Sequence, residues 1–215
     1  MTSLSRTMQN YTKEHLSLYV FIAVILITGV VFGAVMVNAL TLEQKQEIGR
    51  HLGSFLQSVD QGLSEGNRDT FFAGLLMHWK WVLLIWIFGL SVIGLPLILV
   101  LDFLKGVLIG FTVGYMIGQY SWKGMLFALA GVVPQNMIVL PVIVVCSVTA
   151  MSFSLDMIKQ RFWQRSGTVV PPFMRYSLTT AVMAMLLIAA SIYEAFLSPA
   201  VLKWVSPMLT VAQAG

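Results

Sequence analysis

Residues 16 to 40, LSLYVFIAVILITGVVFGAVMVNAL, contain no charged side chain. A helix needs about 20 apolar residues to cross the hydrocarbon core of a bilayer. With no water in that core, an apolar run of this length must satisfy its backbone internally, as a helix does. The rest of the chain is of the same kind. It is 58% hydrophobic and 10% charged, with a mean hydropathy of +0.84, far from the composition of soluble domains. The fold class that follows is an all-α, polytopic membrane protein. The formal net charge of +4 then concerns topology and anionic lipid, with no reason to invoke nucleic acid.

Five spans are predicted, at about 16–40, 81–101, 106–120, 125–155 and 177–197, as a single integral membrane domain. Asn38 and the small residues beside it resemble a signal-peptidase site, but the apolar run exceeds a signal h-region, so the first span reads as a retained anchor. Residues 41–78 form the one sizeable polar segment, and Leu42, Ile48, Leu52, Phe55 and Leu56 give it amphipathic helical spacing. It suits either packing on the membrane surface or docking of a partner. HWKW at residues 78–81 places aromatic and basic groups at an interface. Gly94 and Pro96 are expected to bend the second span, and Asp102 and Lys105 to mark a tight turn before the third. The stretch 125–155 is longer than one crossing needs and contains VVPQNMIVLP. We take it as one kinked, tilted span, with a broken helix as the alternative.

Basic residues favour the cytoplasmic side. Lys159, Arg161, Arg165 and Arg175 make the 156–176 loop the most basic, so it is placed inside. Alternation then puts the N-terminus inside, with the acid-containing 41–78 loop and the C-terminal segment outside.

KGVLIGFTVGYMIG, residues 105–118, has a glycine at every fourth position: Gly106, Gly110, Gly114 and Gly118. Gly29 and Gly33 make a shorter version on the first span. Residues four apart share a helix face, and small residues let backbones approach in lipid, where apolar contact gives no hydrophobic gain. The stripe implies close packing, within the chain or against a second copy or a partner's helix. Gln135 and Asn136, beside Pro134 and ahead of Pro141, are placed to satisfy carbonyls freed by a kink. Glu194 is the one acid inside a predicted span, near its outer end, where it can be hydrated or pair with Lys203.

No GxSxG, phosphate-binding loop, HExxH, dinucleotide fingerprint or intramembrane acid pair occurs. Cys146 is alone, and His15, His51 and His78 read as surface or interfacial side chains with no metal-ligand spacing. The expectation is a non-enzymatic protein without metal or cofactor. The two functional classes left are a scaffold and a transporter-like subunit working with a separate ATPase.

HLSLYVFIAVILITGVVFGAVMVNAL, the short GSFLQS loop, FFAGLLMHWKWVLLIWIFGLSVIGLPLILVLDFLKGVLIGFTVGYMIG and GVVPQNMIVLP, in that order, resemble the stage II sporulation protein M family of endospore-forming bacteria. The resemblance implies a membrane anchor needed for engulfment, in the mother-cell septal and engulfing membrane. Its implied partners are stage II sporulation proteins D and P, which degrade peptidoglycan, and it implies no catalytic residue in this chain. A wider set of relatives carries a P-H-G-I-F-E-L-P-like stretch. Here Pro134 and Pro141 match its ends, while Gln135, Asn136 and Val139 stand in place of the histidine, glycine and glutamate. Loss of both ionisable groups with both prolines kept favours a packing role.

Overall fold

The computed structural model describes residues 3–60, 67–91, 93–163 and 170–192. Six α-helices and no strand occur among them: α1 Ser3–Met36, extended by a 3-10 turn at Val37–Ala39, α2 Leu42–Asp60, α3 Asn67–Gly89, α4 Gly94–Gly131, α5 Val133–Trp163 and α6 Val170–Ile192. Leu16–Ala39, Gly94–Gly131, Val133–Ile158 and Pro172–Ile192 are long and apolar enough to cross a membrane, while the apolar part of α3, Leu75–Gly89, is shorter. On α1 the side chains of Val20, Val24, Ile27, Val31 and Val35 form an outward apolar face, each more than half exposed. A contiguous apolar face of this kind marks a membrane or protein contact.

The predicted 41–78 loop is mostly helical. α2 opens with a capping box: the Thr41 amide donates to Gln44 Oε1 at 3.0 Å and the Gln44 amide to Thr41 Oγ1 at 3.3 Å. Tyr115 donates its hydroxyl proton to the Lys45 carbonyl at 2.7 Å and so ties α2 to α4.

The second and third spans differ from the sequence expectation. The chain reverses at residues 90–93, and Asp102 and Lys105 lie inside α4. Gly94 starts α4, and a Cβ there would overlap the Phe88 carbonyl. Pro96 falls in the first turn, where an amide has no intrahelical partner to lose. The expected bend at Gly94 and Pro96 is therefore a full reversal.

α4 is itself interrupted. Ser121 has φ 50° and ψ −129°, a left-handed backbone rare for a side chain other than glycine. The chain folds back there, so that Gly124 lies against the Met116 carbonyl and Phe127 packs on Met116. From Trp122 the helical path continues through a kink. Val132 keeps helical angles, and its amide bonds the Ala128 carbonyl at 2.8 Å. The next turn holds Pro134, which cannot donate to Ala130. The 125–155 stretch is thus a proline-kinked path.

Residue pairings give the helix directions. Gly29 and Gly33 meet residues 103–111, so α1 and α4 are parallel. Lys105 stands over the Trp81 ring across the α3–α4 reversal. His78 pairs with Gln135 and Gly89 with Ser154, making α3 and α5 parallel. α6 returns against both, with Phe153 stacked on Tyr176 at 5.0 Å. Their shared core holds Ile22, Ile85, Ile98, Ile143, Cys146 and Leu187.

Candidate functional site

The tightest interface joins α1 to α4. A Cβ added to Gly29 would overlap the Phe103 carbonyl oxygen, and one added to Gly33 the Val107 carbonyl. Reciprocally, a Cβ on Gly106 would overlap the Leu26 carbonyl and one on Gly110 the Val30 carbonyl. At Gly114 it would lie 2.9 Å from Ala34 Cα. Backbones in such contact allow Cα–H···O interactions and dense dispersion contact. Gly118 stands apart, with nothing nearer than Val37 Cγ1 at 4.0 Å. From Gly106 to Gly114 the groove is occupied by α1, leaving no room there for another helix.

A second junction lies at the C-terminal end of α3, where Gly89 is buried against Ala150 of α5 and Tyr176 of α6. The last four carbonyls of a helix have no intrahelical partner, and lipid supplies no water to serve them. Tyr176 donates to the Trp86 carbonyl at 2.9 Å, and the Leu90 amide to Ile87 at 3.2 Å. The Ser91 amide donates to Phe88 at 3.0 Å, and Ser154 Oγ to Gly89 at 2.7 Å. All four are satisfied. Gly89 is small because the Tyr176 hydroxyl occupies the space a Cβ would take.

Two polar pairs cross between helices. Asp102, expected at a span end, is fully buried in α4, and its Oδ1 accepts from Ser147 Oγ of α5 at 2.8 Å. Its Oδ2 makes no hydrogen bond among the described residues. His78, expected at the surface, is only 4% exposed, with Nε2 3.2 Å from Gln135 Nε2. Gln135 therefore reaches across to α3, while Asn136 Nδ2 donates to the Val132 carbonyl at 2.8 Å beside the kink. Pro141 lies inside α5 on an exposed face. Glu194 and the C-terminal segment lie outside the described residues. Sequence reasoning missed Asp102, His78, Ser147, Ser154 and Tyr176, because each partner is 45 or more residues away.

At the far end of α4, a cavity of about 660 Å³ lies between α2 and residues 119–123. Lys45 and Gln46 are on one side, and Gln119, Ser121 and Lys123 on the other. No group of three or more His, Cys, Asp or Glu placed to hold a metal occurs among the described residues. The arrangement brings helices together and presents polar groups at one boundary of the bilayer.

No curated protein and no solved structure matches the chain. The family model for stage II sporulation protein M matches residues 22–199. That match takes in the apolar helices from Ile22 onward, the glycine seam and the α3 terminus, so this multi-pass membrane protein belongs to the stage II sporulation protein M family.

Proposed function

We propose that the protein is a non-enzymatic membrane scaffold for engulfment during sporulation, holding peptidoglycan-degrading partners at the septal and engulfing membrane. The observation that carries this reading is the family match across residues 22–199. The helix architecture supports it. Backbone contact between α1 and α4 and the hydrogen-bonded end of α3 make a closely packed bundle, and Tyr115 ties α2 to one end of it. A closely packed bundle with an amphipathic helix at the end that the distribution of basic residues assigns to the cell-wall side suits a protein that positions others. Stage II sporulation proteins D and P are the proposed partners, engaged from the outer face.

The test is affinity purification of the tagged protein from mild-detergent membranes of sporulating cells, with mass spectrometry of what co-purifies. Recovery of the two hydrolases is expected. Recovery of an ATPase without hydrolases would overturn the scaffold in favour of a transporter subunit.

A further inference from the structure

The cavity between α2 and the α4 reversal has features the scaffold reading does not use. Lys45 and Lys123 approach it from different helices, each half-buried, and neither ammonium is ion-paired among the described residues. Gln46, Gln119, Ser121 and Tyr120 add hydrogen-bond donors, and no carboxylate lines the walls among the described residues. Glu43 and Glu47, the acids nearest Lys45 in sequence, are not among its lining. A donor-rich cavity lined by two cations is complementary to a group bearing several acceptor oxygens.

Its depth selects the source of that group. The apolar run of α1 ends at Ala39, and that of α4 reaches its reversal at Ser121. Leu42 and Trp122 stand at the rim, 73% and 68% exposed. An exposed leucine and tryptophan beside two lysines mark the boundary between hydrocarbon and headgroups. The left-handed Ser121 makes the wall possible, since a continuing helix would carry residues 122–123 away from α2. The volume of about 660 Å³ is within the range of small-molecule sites.

We propose that this cavity binds the phosphate headgroup of an anionic glycerophospholipid of the outer leaflet, with its acyl chains leaving past Leu42 and Trp122. The assignment is independent of which proteins the scaffold holds. The test is native mass spectrometry of the purified full chain with phosphatidylglycerol or phosphatidylcholine, comparing wild type with the Lys45→Gln/Lys123→Gln double variant. Two basic residues at an anionic surface are worth roughly a thirtyfold preference. That preference for phosphatidylglycerol is expected in wild type and lost in the double variant. Equal retention of the two lipids by wild type, or an unchanged preference in the variant, would overturn the proposal. Photoactivatable phosphatidylglycerol supplies a measurement on wild type alone. Crosslinks are expected on residues 42–49 and 119–123, and crosslinks confined elsewhere would refute the site. Glycerol phosphate is the third arm: displacement of the lipid by millimolar glycerol phosphate would assign the cavity to a free phosphate instead.

Discussion

Tyr176 shows how much one hydroxyl can do where water is missing. Its ring stacks on Phe153 with an interplanar angle of 11°, and its oxygen sits against Gly89 while serving the Trp86 carbonyl. Tyr176→Phe keeps the stack and removes only the donor. A buried carbonyl left without its partner costs about 1–3 kcal/mol. We therefore expect a fall of several degrees in Tm for Tyr176→Phe, measured in detergent by size-exclusion after heating. Thr179→Val is the control, because the Thr179 hydroxyl bonds the Arg175 carbonyl in its own helix. Its Tm should stay near that of wild type. Equal Tm values for Tyr176→Phe and wild type would mean that the α3 terminus is held by packing alone. Asp102 obeys the same logic from the acceptor side: fully buried, it takes its hydrogen bond from Ser147 of another helix.

Among the elements, α1 and α4 depend most directly on the absence of side chains. Leucine at Gly110 and Gly114 would have to displace the Val30 carbonyl and Ala34, part of α1's own backbone. Gly110→Leu/Gly114→Leu should therefore lose most of the monodisperse protein and of the recovered complex, while Gly118→Leu should retain both. Complex recovery from the double variant equal to wild type would sink this expectation. Gln135→Ala should be milder, since it removes a single cross-helix contact to His78. The period-four glycines were legible in the sequence because spacing and size alone define such a face. Their occupant was not legible, since α1 is separated from α4 by two other helices. The reversal at 90–93 was hidden for a different reason. It lies inside a continuous apolar run, and the helix-end carbonyls of Gly89 and Trp86 are served by Ser154 and Tyr176, more than 60 residues away. Asp102 and Lys105, read as a turn for their charge, proved to be interior residues of α4.

For the whole molecule, direction and charge can be set against each other. α1, α4 as far as Ser121, and α6 run one way and α3 and α5 the other, so α2 and the cavity lie at one face and the end of α5 with the start of α6 at the opposite one. Lys159, Arg161, Arg165 and Arg175 fall in the 156–176 segment, for which the distribution of basic residues predicts the cytoplasmic side. Cys146 is fully buried, giving wild type a low background to a membrane-impermeant maleimide. In intact cells whose wall is opened but whose membrane is sealed, Glu43→Cys should label and Asp156→Cys should label only after the membrane is permeabilised. Both positions are exposed, so failure to label reports the side of the membrane. The reverse pattern would invert the bundle. It would turn α2 and the lysine-lined cavity toward the cytoplasm, where a scaffold could not use them to meet enzymes acting on peptidoglycan. The orientation is thus the physical premise on which the scaffold reading stands, and this labelling experiment tests it without any partner present.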